Sequence, residues 1–142
     1  MLAPRVDGPA ARILVLALRV VTGLFLIGVG IGKFADHASE VADFQHYGVP
    51  LPDLAVPLAG VIEVVGGVCV VLGLLIRPAA TVVALNLLVA LLTAGVTDGG
   101  TFHLVVGPAV MIAMVVLVGT GAPAPSLDQA ILSRRSPPRT PR

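Results

Sequence analysis

At 142 residues, 56% of them hydrophobic and only 12% charged, with a mean hydropathy of +1.00, the chain carries more apolar surface than one soluble domain can bury. It reads as a single integral membrane domain. The formal net charge is +1 and the basic residues are scattered over the ends of apolar runs, so no nucleic-acid surface is expected.

Residues 1–11 form a short polar arm, and Arg12 opens an apolar run to Gly32 that is interrupted by Arg19. A basic start before an apolar stretch has the look of a signal peptide. The run is about 20 residues where a signal core has about 7 to 15, and it contains an arginine, so a retained membrane helix is expected. Three further runs follow, Leu54–Ile76, Ala79–Val96 and Phe102–Thr120. Each is close to the roughly 20 residues that a helix needs to cross the hydrocarbon layer. Four spans leave both chain ends on one side. The amino-terminal arm, the second connection and the carboxy-terminal tail hold arginines, among them Arg12, Arg77, Arg134 and Arg135. The first and third connections hold Lys33 beside Asp36, Glu40, Asp43, Asp53 and Asp98. By the positive-inside rule both termini are cytoplasmic.

Short turns, with Arg77-Pro78 between the second and third spans and 97–101 between the third and fourth, make neighbours antiparallel. The expected fold is an all-α, up-down four-helix transmembrane bundle over residues 12–132. In the outer connection Val41, Phe44 and Tyr47 recur at helical spacing, which predicts a short amphipathic helix on the outer mouth before Gly48 and Pro50 end it. After the fourth span Pro123 and Pro125 break the helix. Ser126-Leu-Asp-Gln129 has the form of a capping box and predicts an interfacial helix through Leu132. Residues 133–142, basic and proline-rich, are expected to be disordered and held to anionic lipid.

The polar residues inside the spans are the candidate site. Glu63 lies in the second apolar run, with Gly60, Gly66, Gly67 and Arg77 within about 60° of it on a helix. A carboxylate near the centre of the hydrocarbon costs at least about 2.5 kcal/mol, so it needs a partner, a proton or water. Arg19, Gly23, Gly30 and Lys33 share a face of the first span. Asn86 shares one with Ala90, Thr93 and Thr97 in the third, and His103 shares one with Gly107 and Met114 in the fourth. These faces are expected to meet in the bundle interior. Small residues that let helices approach, and polar ones that bond across the seam, explain them without any function.

Direction selects partners. Helical side chains lean toward their own amino terminus, so Lys33 at the outer end of the first span leans inward, and Glu63 on the inward-running second span leans outward. Lys33 with Glu63 is the expected pair. Arg19 leans toward the cytoplasm, to snorkel or to meet Asp128. Glu63 is read either as half of a structural ion pair or as a group that handles a proton or binds a small polar head group. Asn86 is read as an interhelical hydrogen bonder. His103 is read as an interfacial residue, with a proton relay or quinone contact as its functional alternative. Asp36, His37, Glu40, Asp43 and His46 cluster at metal-like spacing but read as solvated residues, so no metal site is expected. The glycines of 28–32, GVGIG, read as packing glycines, and no phosphate or dinucleotide loop is present. The lone cysteine, Cys69, permits neither an intrachain disulfide nor a dithiol centre, and reads as a small buried hydrophobe.

Taken together, Arg19, Gly23 and Gly32-Lys33-Phe34, then Tyr47-Gly-Val-Pro-Leu-Pro52, then Glu63 with Gly66-Gly67, Leu72-Gly73 and Arg77, and finally Ser126-Leu-Asp128 resemble the DoxX family. The resemblance runs from about Arg12 to Leu132. It implies a four-span protein of the bacterial cytoplasmic membrane. Some members are named for the small membrane subunit of a thiosulfate:quinone oxidoreductase, and others are linked to oxidative-stress or thiol-handling assemblies. The expectation that follows is a small membrane subunit of a redox system that holds a quinone or a partner oxidoreductase, soluble or membrane-bound. Lys33 and Glu63 would form the polar end of its pocket. The alternative is a non-enzymatic scaffold or a small-solute or proton pathway, for which the small size calls for a homo-oligomer.

Overall fold

A computed structural model of the chain describes residues 8–122 and 125–135. Residues 1–7 of the polar arm, residues 123–124 and residues 136–142 of the tail lie outside this range. Among the described residues six helices follow one another: α1 Pro9–Ala35, α2 His37–His46, α3 Pro52–Leu72, α4 Ile76–Gly95, α5 Phe102–Thr120 and α6 Leu127–Arg135. Helices α1, α3, α4 and α5 are each long and apolar enough to cross a membrane, and the described residues contain no strand. They run up and down, so the chain is an all-α four-span membrane protein. Side chains such as Val21, Leu24, Val65, Leu92 and Val115 stay exposed on the outside of the bundle, where acyl chains replace water.

The helices associate as two close pairs, α1 with α3 and α4 with α5. Glycines set the first pair. A Cβ on Gly23 would lie 2.8 Å from the Gly67 carbonyl oxygen, and one on Gly30 would lie 2.9 Å from that of Gly60. Two backbones in such contact gain dispersion energy along their whole length, the main attraction available to helices already in lipid. Toward the cytoplasmic end the two pairs converge. There Val70, Ile76, Ala80, Val83, Met114 and Leu117 form a dry core, and a Val83 methyl occupies the space that a side chain on Gly66 would need. Toward the outer end the pairs separate.

The span boundaries differ from the sequence expectation at the second connection. Helix α3 stops at Leu72, four residues before Ile76, because Gly73 takes the left-handed conformation at φ 65°. Leu74 N–H then bonds to the Cys69 carbonyl and Gly73 N–H to that of Val70, a Schellman turn. Arg77-Pro78 falls inside the first turn of α4 and not in the connection. Proline is tolerated there because the amide hydrogens of a first turn have no intrahelical acceptor. Helix α2 forms where expected and ends in a second Schellman turn at Gly48, φ 71°. Its Val41, Phe44 and Tyr47 are half-buried over the bundle mouth. Helix α6 continues to Arg135, three residues past Leu132 and into the stretch expected to be disordered. Ser, Arg and Arg carry no helix-breaking cost that would stop it earlier.

Candidate functional site

The glycine contacts fix the register of α1 against α3. Gly23 faces Gly67 and Gly30 faces Gly60, so Lys33 is level with Pro57, and Glu63 lies six residues further in. Six residues of helix are about 9 Å. The two side chains lean toward each other across this offset. They bring Lys33 Nζ to 3.3 Å from Glu63 Oε2. Glu63 is only 4% exposed. Asn86 of α4 donates from Nδ2 to Glu63 Oε1 at 3.2 Å. The Lys33 contact lacks hydrogen-bond alignment, so Oε2 has an ionic neighbour but no hydrogen-bond donor among the described residues.

Lys33 has a second acidic neighbour. Glu40 of α2 places Oε2 3.7 Å from the same Nζ, so one ammonium lies between a carboxylate within the bilayer and one on the surface helix. Glu40, which the sequence places among solvated residues, keeps 31% of its side chain exposed and adds this ionic contact. The missed signal is its position one turn before Phe44, on the inward face of α2.

Beside this cluster the separating helix pairs leave a cavity of about 610 Å³. Its walls are apolar, with Phe25, Leu26, Ile62 and Leu91 among them, and Lys33, Glu63 and Asn86 supply polar groups. Three lining residues, Leu58, Leu85 and Val89, are also 57%, 59% and 56% exposed on the outer surfaces of α3 and α4. The cavity therefore reaches the lipid-facing side between these helices. The Asn86–Ala90–Thr93 face of α4 lines this space, while Ala80 and Val83 make the packed seam; Thr97 is exposed.

Helix α2 covers the outer mouth, tied down through the α4–α5 connection. Tyr47 Oη donates to Asp98 Oδ2 at 3.4 Å, and His46 Nε2 lies 3.7 Å from Asp98 Oδ1. The Tyr47 ring meets His103 edge-on at 5.7 Å, and His103 meets Phe102 at 5.4 Å. His103 therefore lines the mouth of the cavity beside Tyr47 rather than joining Lys33 and Glu63. Partial burial, then the charges of Asp43 and Asp98, push the Tyr47 phenol above its ordinary pKa. The last turn of α4, Leu91–Gly95, and the first of α5, Phe102–Val106, are π-helical, and both border the cavity. Such turns re-aim side chains at the cost of regular hydrogen bonding and are frequent at functional sites.

The family model for DoxX matches residues 14–96, more than half of the chain. The chain belongs to the DoxX family. No curated protein and no solved structure gives a significant match. The DoxX match includes Arg19, Lys33, Glu63 and Asn86, and stops before His103 and Asp128.

The remaining sequence candidates gather at the cytoplasmic end of this DoxX bundle. Arg19 is 1% exposed and does not snorkel. Its Nε donates to the Val70 carbonyl at 3.1 Å, Nη2 to that of Val71 at 2.9 Å and Nη1 to that of Pro125 at 3.2 Å. The Val71 carbonyl is one that the end of α3 leaves without a helical partner, and the Val70 carbonyl, which already accepts from the Gly73 amide, takes a second hydrogen bond. The guanidinium occupies the space that a side chain on Gly73 would take. Asp128 accepts from the Leu75 and Ile76 amides at 2.9 and 3.4 Å, capping α4 where Leu75, itself at φ 47°, offers no side-chain cap. Arg19 and Asp128 thus join one cluster through backbone groups, and no ion pair links them among the described residues. Ser126 Oγ accepts from the Gln129 amide as a capping box requires, but the Gln129 side chain bonds to the Ala122 carbonyl instead of reaching back. Of the GVGIG glycines only Gly30 packs; Gly28 and Gly32 have open space where a Cβ would point, since residues two apart lie about 200° apart on a helix.

Proposed function

We infer that this DoxX-family chain is a small subunit of a redox system in the bacterial cytoplasmic membrane, and that its cavity holds a quinone. The observation that carries this reading is the cavity itself: about 610 Å³, apolar-walled, open toward lipid, with Lys33, Glu63 and Asn86 inside it. That volume is within the range of small-molecule sites, which combine apolar walls with a few placed polar groups. The residues fit the group. A quinone ring and tail suit the walls, and Lys33, with three N–H donors and two carboxylate neighbours, can direct a donor to a ring oxygen. When bound, the quinone supplies two-electron, two-proton chemistry. With one cysteine in the chain and no grouping of three metal-ligating side chains among the described residues, the electrons are assigned to a partner oxidoreductase. The chain's own part is to orient the ring, exclude water and place a charged pair beside it.

The test is to purify the protein in mild detergent and extract its lipids. Stoichiometric quinone is expected, together with slower quinone reduction in membranes lacking the protein. Absence of quinone with an unchanged rate would remove the reading. A second reading, a proton or small-solute pathway, is favoured by the line from Glu63 through Lys33 to Glu40 at the surface. Its mark is that Glu63→Gln and Lys33→Met abolish transport while membrane quinone reduction stays normal.

A further inference from the structure

We propose that the side of the cavity built from α1, α5 and the end of α2 is a ring-binding subsite, in which Phe25 and Phe102 seat a flat ring and His103 donates to one of its oxygens. The proposal rests on the quinone reading and adds where the ring lies and what selects it.

The placement follows from how the chain uses its aromatic residues. It has four phenylalanines, one tyrosine and no tryptophan. Phe25, Phe44, Tyr47 and Phe102 all line this one cavity. They come from α1, from α2 with its cap residue, and from α5, whereas α3 and α4 contain no aromatic residue. Within this wall the rings meet in series. Centroids lie 6.1 Å apart for Phe25 and Phe102, 5.4 Å for Phe102 and His103, and 5.7 Å for His103 and Tyr47. An interfacial belt does not account for this. Phe25 lies ten residues, about 15 Å, inside the outer end of α1, and belts favour tryptophan and tyrosine.

The opening lies on the other side. Helix α3 packs between α1 and α4, and α5 packs against α4 and α1, so the seam of α1 with α5 faces the gap between α3 and α4. Leu58, Leu85 and Val89 at that gap are aliphatic and exposed toward lipid. An occupant that enters there head first reaches the rings and leaves its apolar tail among aliphatic side chains. The rings have surface to offer, since Phe25, Tyr47 and His103 are only half-buried and Phe102 is 48% exposed.

His103 supplies the polar contact. Its ring nitrogens make no hydrogen bond to any described residue, its neighbours being the Phe102 and Tyr47 rings. A neutral imidazole has one N–H to donate, and a quinone carbonyl accepts it. A quinone carries oxygens on opposite edges of its ring, so one taken by His103 leaves the other for Lys33. A saturated ring with the same two carbonyls keeps both hydrogen bonds but has no π face to lay on Phe25 and Phe102. Ring-on-ring contact, about two- to tenfold in affinity per pair, separates the two.

The experiment is equilibrium binding to the full-length protein in detergent. The probes are a decyl-substituted para-benzoquinone and the matching saturated cyclohexanedione. Quinone bound at least about tenfold more tightly than the dione supports the proposal, with Phe25→Leu and Phe102→Leu each weakening quinone alone by about two- to tenfold. His103→Phe should weaken both probes by about two- to tenfold, and His103→Gln, which keeps a donor, should restore them. Equal affinity for the two probes overturns ring selection and leaves a quinone site. A difference unchanged in both phenylalanine variants overturns the placement, and unchanged binding in His103→Phe overturns the part given to His103. No binding of the quinone overturns the quinone reading itself. Should the variants fail to fold, a ring-azide derivative of the same quinone decides in the wild type. Photolabel on Phe25, Tyr47, Phe102 or His103 supports the subsite, and label on α3 and α4 overturns it.

Discussion

On α1, Gly28 and Gly30 stand two residues apart and face different surroundings. Nothing lies within 4 Å of a Cβ placed on Gly28, so Gly28→Ala should stabilise the folded protein by about 0.5–1 kcal/mol, the gain of alanine over glycine in an open helix. A Cβ on Gly30 would lie 2.9 Å from the Glu63 Cβ and from the Gly60 carbonyl, neither of which can swing away, so Gly30→Ala should cost about 1–3 kcal/mol. Equilibrium unfolding of both variants in mixed micelles checks the pair. Equal effects would mean that α1 does not approach α3 through this face. The sequence showed which glycines share the Arg19–Lys33 face, because that follows from helical angle alone. It did not show that Glu40 reaches Lys33, because that contact depends on how α2 folds back over the mouth.

Among the elements, α2 and the connections show how polar residues hold the cover and the ends in place. The chain has one tyrosine and no tryptophan, so absorbance titration reports Tyr47 alone. Its ionisation should occur above the ordinary value near 10. In Asp98→Asn it should move down but stay raised, because burial is the larger cause. Since the folded-state value is the higher one, this group's contribution to stability is complete below the unfolded pKa and is lost as pH rises through the folded one. An ordinary titration would mean that α2 stands off the mouth. At the other end, Asp128→Ala removes the cap from α4 and should cost about 1 kcal/mol in the same unfolding assay. No effect would mean that α6 does not dock there. Helix existence was legible from apolar run length. The end of α3 was less so: Ile76 and Arg77-Pro78 look like a continuing span and its turn, whereas Gly73, adopting positive φ and making room for Arg19, decides the boundary.

For the whole molecule, hydropathy and run length carried the four spans, since lipid requires long apolar helices whatever their packing. They could not carry the cavity. A shared polar face predicts that helices meet, and Asn86, Ala90 and Thr93 share one. Yet α4 packs on α3 through Val83 against Gly66 and leaves the Asn86 face lining open space. The dry inner half lies where Val83 closes on Gly66, and the outer half is hollow because the Asn86 face of the same helix has no such partner and bulky side chains such as Phe102 stand around it. That asymmetry places Lys33 and Glu63 at a boundary between packed protein and the space a ligand would fill.

The central claim is that Lys33 and Glu63 neutralise each other inside the membrane, and a double-mutant cycle on unfolding free energy tests it most directly. Lys33→Met should cost about 3 kcal/mol or more, because it leaves the buried Glu63 charge uncompensated, and Glu63→Gln should cost less, because Lys33 keeps Glu40. The double variant, with neither charge, should cost less than the sum of the two by at least about 2 kcal/mol. Strictly additive losses would contradict the account.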